Sequence, residues 1–209
     1  MEELGDLVKR LGKPYSELLG IDLKSGDEKE IFKWFLASLL FAKPIREETA
    51  IRTYRSLETE GLVDPDSLLA AGWAKLVEAL DRGGYVRYDF STATKILEAT
   101  KNLKERYGTL SALHEKSTDE NDLEQKIKGL AKGIGDVTVS IFLRDMKITW
   151  RDVREKPTPL LKAGMEAYGI EDCDAAAGQL GVDPVMLKTA LSRFAKENKR
   201  KMKITLNTS

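Results

Sequence analysis

Cysteine is almost absent from this chain: Cys173 stands alone among 209 residues. A lone thiol excludes an internal disulfide and any site built on several cysteines, an iron–sulfur cluster included. Histidine is equally scarce, with only His114. Histidine-based zinc catalysis and a Ser-His-Asp triad therefore have little material, and no metal or cofactor is expected. Glutamine occurs only as Gln125 and Gln179, while 33% of the chain is charged, a thermophile-like bias. No apolar run is long enough to cross a bilayer, since Ile31–Ala42 is interrupted by Lys33 and Ser38. The acidic, amphipathic start at Met1–Asp6 does not read as a signal peptide. An excess of one charge is missing too: Lys plus Arg and Asp plus Glu are 34 each. That balance argues against tight, non-specific binding to a polyanion, but leaves room for a local basic face.

What is present is apolar content of 42%, enough for a sizeable core in one or two lobes. Alternating strand patterns are missing, and the periodicity predicts an all-α chain. Helices are expected near Glu2–Leu11, Pro14–Leu19, Glu28–Ala42 and Arg46–Glu58. Asp64-Pro65 is an N-cap followed by a first-turn proline and opens a short helix to Ala71, with Trp73–Leu80 a separate one. Thr92–Tyr107 follows a Gly83-Gly84 loop. A turn at Thr109–His114 and a polar linker at Lys116–Asn121 come next. Leu123–Leu130 and Asp136–Met146 form a pair, then Pro157–Tyr168, Asp172–Leu180 and Asp183–Lys196. Trp34, Trp73 and Trp150 are expected in the core or between lobes, and His114 on the surface.

The informative segment is Leu123–Met146, where Lys132-Gly133-Ile134-Gly135 joins two amphipathic helices. Two glycines around one aliphatic residue allow a very tight turn, with backbone angles closed to other residues. Ile134 is expected to point inward. Backbone N–H groups at the start of the second helix then offer an anion site, able to hold a phosphate without reading sequence. A plain glycine-turn hairpin is the alternative.

The stretch Leu130–Leu143 resembles the hairpin of the HhH-GPD superfamily, which includes endonuclease III-like and MutY-like base-excision DNA glycosylases. Leu39-Leu40-Phe41-Ala42-Lys43 resembles the end of that family's first barrel helix. Gly84-Tyr85 followed by Ala93–Leu97 resembles its Gly-x-Tyr loop and next helix. The resemblance covers residues 28–146. It implies a two-lobed helix-hairpin-helix fold. Residues 26–147 would form a six-helix barrel lobe with the hairpin at 123–146, and 1–25 plus 148–209 a second lobe from both termini. It also implies a cytoplasmic monomer, nucleoid-associated if it binds DNA, whose partner is double-stranded DNA, damaged or intact, and not a membrane, acting in base excision repair.

The resemblance carries function only in part. Bifunctional members place a nucleophilic lysine two residues after the second hairpin glycine, where this chain has Val137, so a lysine-type lyase at that position is not expected. Active members place an aspartate about twenty residues past that glycine, to stabilise an oxocarbenium ion. Here the candidates are Asp152 and Glu155, with Pro157 at the position one alignment selects. Both acids alternate with Arg151, Arg154 and Lys156 and read equally as surface ion-pair partners. Asp136 departs from the family's neutral or basic residue and is expected to cap the second helix. DNA contacts are expected from Lys132, Gly133, Ile134 and Gly135, from Lys43, and from Arg87 and Tyr88 in a loop with Tyr85 and Asp89. In that loop the tyrosines either clamp a nucleotide or seat the loop on the core. The tail residues Lys199, Arg200, Lys201 and Lys203 either add phosphate contacts or only solubilise. Three readings stay open: a monofunctional glycosylase, a catalytically inactive DNA-binding relative, and a helical protein-interaction scaffold.

Overall fold

The structure, a computed structural model, describes residues 3–199. Arg200, Lys201 and Lys203 of the basic tail lie outside them. The described residues are all-α, with twelve α-helices: α1 (Leu4–Leu11), α2 (Tyr15–Leu18), α3 (Glu28–Phe41), α4 (Glu47–Thr59), α5 (Pro65–Arg82), α6 (Asp89–Arg106), α7 (Leu110–Glu115), α8 (Glu120–Lys128), α9 (Asp136–Met146), α10 (Pro159–Tyr168), α11 (Cys173–Leu180) and α12 (Pro184–Glu197). No helix among them is long and apolar enough to cross a membrane.

Local chemistry sets most boundaries. Asp64, Thr158 and Asp183 each accept N–H groups of the first turn and are followed by proline at the first helical position. Asp27, Thr109, Asp119 and Asp172 cap α3, α7, α8 and α11 in the same way. Gly72, at φ 74° and ψ −178°, breaks α5 into two helical pieces. Helix α6 begins at Asp89 rather than Thr92, because Asp89 folds under and accepts the Phe90 N–H at 2.6 Å.

The chain divides into two compact units, Leu19–Glu155 and the two terminal segments, residues 3–18 and 156–199. The larger unit starts before residue 26 and runs past 147 because Ile21, Leu23, Trp150 and Val153 are buried in it. It holds the seven helices α3 to α9 where six are expected, since Thr109–His114 forms a capped helix instead of a turn. Its axis is α3, hydrophobic on nearly all sides, packed on α4, α6, α7 and α9. Trp34 on α3 is fully buried and donates to the Phe142 carbonyl of α9 at 2.9 Å. Phe142 meets Phe35 and Trp150 edge-on. In the smaller unit α12 is the centre, packed against α1, α10 and α11 over Leu7, Leu161, Cys173, Leu187 and Leu191. Cys173 is buried in that core.

Candidate functional site

Helices α8 and α9 are joined by the seven residues 129–135, which carry the hairpin turn. Its outer carbonyls are held from α6: Asn102 donates to the Leu130 carbonyl at 2.8 Å and Arg106 to that of Gly129 at 2.9 Å. These bonds satisfy groups that the end of α8 leaves open. Ile134 is buried, while Lys132, Gly133 and Gly135 are exposed.

The two glycines differ. Gly133 lies at φ 85°, a region that favours glycine, whereas Gly135 lies at φ −114° and ψ −175°, extended backbone that any residue adopts. The expectation that both need glycine is therefore corrected for Gly135. The N–H of Ile134 is already used, donating to the Ala131 carbonyl at 3.2 Å. The open donors lie in the first turn of α9, whose N-cap is Gly135 and which has no side-chain cap. Asp136 is not the cap: it stands within the first turn and its carboxylate pairs with Lys128. The physical reason is position, since a cap must precede the first helical residue to reach back-facing N–H groups.

Three of the sequence-predicted contacts outside the turn come together. Lys43, just beyond α3, places its amine 5.4 Å from the centre of the Tyr88 ring, and the Arg87 guanidinium stands 5.5 Å from the same ring. Tyr85 and Tyr88 divide the two roles proposed for the loop. Tyr85 is buried, donates to the Leu40 carbonyl at 3.0 Å and seats the loop. Tyr88 is half-buried and its ring lies among the cations. Desolvation pushes the Tyr85 hydroxyl well above its ordinary pKa, as expected for a structural phenol.

Two residues escaped sequence reasoning. Lys95 on α6 is buried, yet its amine reaches Lys43 and the turn: a Cβ built on Gly133 would lie 3.3 Å from Lys95 Cε and 3.5 Å from Nζ. The signal was its stripe, since Thr92 and Ala99, three before and four after, are small and buried. Asp89, noted only as a loop neighbour, is buried and hydrogen-bonded to Asp81. That second carboxylate raises the Asp81 pKa above its ordinary value.

Asp152 lies elsewhere. Its side chain is 79% exposed, 3.7 Å from the His114 Nε2. His114 is not an ordinary surface residue, because its ring stacks flat on Trp150 at 4.4 Å. Asp152, His114, Glu115, Asp119 and Glu120 line a pocket of about 680 Å³. That pocket is at the end of α9 and the start of α8, away from the turn. Glu155 is half-buried at the end of the larger unit. Of the tryptophans, Trp34 and Trp150 are buried but Trp73 is 44% exposed, packed on Phe90 at 5.2 Å. Among the described residues no cluster of His, Cys, Asp and Glu could hold a metal.

No family model, no curated protein and no solved structure matches this chain.

Proposed function

We propose that this chain is a DNA-binding protein of the base-excision type, similar to the HhH-GPD glycosylases, and monofunctional if it excises a base. The observation that carries this reading is the cationic rim of the α8–α9 turn. Lys132 stands in the tight glycine turn before an uncapped helix start; Lys43 neighbours Lys95, which lies against Gly133, and Arg87 stands on the Tyr88 ring with Lys43, in a chain with zero net charge. Such a rim suits duplex phosphates, which need donors and positive charge but no base-specific geometry. In this reading Tyr88 stacks on a displaced nucleotide, and Asp152 or Glu155 supplies the carboxylate.

The test is fluorescence anisotropy with labelled intact and abasic duplexes, from low to physiological salt. Binding should weaken linearly in log–log form, with a slope set by the few phosphates neutralised. Incubation with a panel of damaged duplexes, followed by alkali, reveals base excision. Binding without excision supports the inactive relative. No affinity for any duplex at low salt ends the DNA reading. It would favour the scaffold reading, for which the exposed Val86, Phe90 and Trp73 are the supporting observation.

A further inference from the structure

Six large apolar side chains are exposed among the described residues, and four of them, Leu69, Trp73, Val86 and Phe90, belong to α5, α6 and the loop between. Trp73 and Phe90 pack ring against ring at 5.2 Å. The Trp73 indole N–H donates to Thr94 Oγ1 at 3.0 Å, and the Thr94 hydroxyl donates to the Phe90 carbonyl at 3.0 Å. Both rings are thus held in place while Trp73 stays 44% and Phe90 59% exposed, with Val86 beside them in the chain at 65%. Rigid aromatic side chains left in water suit a docking site, because little freedom is lost when a partner covers them.

Charge narrows the partner. Cations of these helices are neutralised within the chain: Lys75 and Arg82 pair with Glu60 at 2.6 and 2.7 Å, and Lys104 pairs with Asp66. Asp81 and Asp89, on either side of the loop, are hydrogen-bonded to each other. Arg87, next to Val86, stands over the Tyr88 ring, and among the described residues no carboxylate pairs with it. We infer that the α5–α6 face docks a short segment of another protein, which lays two or three apolar side chains on Trp73, Phe90 and Val86 and a carboxylate on Arg87. This docking stands apart from the DNA-binding reading, with Arg87 the one residue common to both.

Other occupants fit less well. The exposed parts of the four apolar side chains amount to roughly 300–400 Å², a size that monomers keep for function. One side of a stable dimer needs about 800 Å², and an isologous pairing would bring the two copies of Arg87 to one interface. A tryptophan at a membrane surface keeps its N–H for the wet side, whereas that of Trp73 is used by Thr94. A single strand of nucleic acid needs a run of cations beside its stacking rings, and here most are already paired.

The experiment selects a phage-displayed random peptide library on the full chain, with depletion on Phe90→Glu. Enriched peptides should share two or three apolar residues and an Asp or Glu. The best of them, synthesised and labelled, should bind wild type with micromolar affinity by anisotropy and shift tryptophan emission to the blue as Trp73 loses water. Phe90→Glu and Val86→Glu should each weaken binding at least tenfold, with circular dichroism confirming that both fold. Arg87→Glu should weaken it severalfold, and a peptide with lysine in place of its acid should recover binding to that variant alone. This charge exchange separates docking from general stickiness. No enrichment above the depleted library overturns the proposal, as does a peptide that binds the Phe90 and Val86 variants like wild type, or a failed charge exchange. Dimerisation in sedimentation velocity, or binding to phosphatidylserine vesicles or to oligo-dT, would also overturn it if Phe90→Glu abolishes that association, and would give the face to that occupant instead.

Discussion

Gly133 and Gly135 are two residues apart and chemically identical, yet alanine should affect them differently. At Gly133, φ 85° places a Cβ against the following carbonyl, which costs roughly 1–2 kcal/mol. The added methyl also meets Lys95 Cε at 3.3 Å, but this is the end of a flexible side chain and can shift. Alanine restricts the unfolded chain as well, returning about 0.4–1 kcal/mol. The net expectation for Gly133→Ala is a loss of about 1 kcal/mol. At Gly135 the backbone is extended and nothing lies within 4 Å of an added Cβ. The same gain from the unfolded state is there offset by alanine's poorer N-capping, about 0.5–1 kcal/mol, so Gly135→Ala should be close to neutral. Urea unfolding followed by tryptophan fluorescence reads the correct part of the molecule, because Trp34, Trp73 and Trp150 all lie in the larger unit. Equal destabilisation by the two variants, or none by Gly133→Ala, would refute the assignment of the turn. By the same logic, with no strain at Gly135, Gly135→Val should weaken duplex binding less than Gly133→Val does.

Three other outcomes follow from single contacts. Gly164→Ala places a Cβ 2.3 Å from the Leu191 carbonyl oxygen, a backbone atom, so the α10–α12 approach must open at a cost of about 1–3 kcal/mol or more. Hydrogen exchange across α10 and α12 should show the loss, while tryptophan fluorescence of the larger unit stays unchanged; wild-type protection would contradict the packing. Asp136→Asn removes an exposed carboxylate beside the turn and leaves Lys128 paired with Glu124 alone, so duplex affinity should rise about two- to fivefold at low salt. If binding instead weakens, Asp136 is helping to hold the turn. Should base excision be detected, replacing the true acid would cost roughly a hundredfold or more in rate. Asp152→Asn and Glu155→Gln are the tests, and activity that survives both moves the search to Asp89.

Much of the fold is local and therefore legible. Helix α9 starts and stops where the pattern places it, and Asp-Pro at residues 64–65 and 183–184 marks two helix starts through a cap and a fixed φ. The illegible parts depend on distant neighbours. Glycine types are identical in sequence, so only the folded turn separates Gly133 from Gly135. Asp89 draws α6 back by three residues through its own hydrogen bond and its pairing with Asp81. His114 and Trp150 are 36 positions apart, and nothing local announces that they stack. Trp73 looks like core by type but remains exposed, because the break at Gly72 starts a new helical piece whose buried positions are Leu76, Val77, Ala79 and Leu80. For the site, residue types near the turn were readable, but Lys95 was passed over, since its charge reads first as solvated even though Thr92 and Ala99 mark a buried stripe.

The two ends of the α8–α9 pair carry opposite charge, and this has a consequence for salt. The turn end is bordered by Lys43, Lys95 and Lys132, with Asp136 paired to Lys128, whereas the far end holds Glu115, Asp119, Glu120 and Asp152 around the pocket, with Arg154 near Glu120. Eleven residues of α9 separate them, about 16 Å at 1.5 Å per residue. The Debye length is about 10 Å in 0.1 M salt and about 30 Å in 0.01 M. A phosphate at the turn should therefore feel the acidic end only in dilute salt. Glu115 and Glu120 are the residues to change, since Asp119 caps α8 and its loss would disturb the helix. The double variant Glu115→Gln, Glu120→Gln should tighten duplex binding about twofold near 0.01 M salt and leave it unchanged near 0.15 M. An equal effect at both concentrations would mean that the pocket touches the duplex directly. It would place the nucleic acid along the hairpin instead of at its turn, beside Asp152, the first of the two proposed acids.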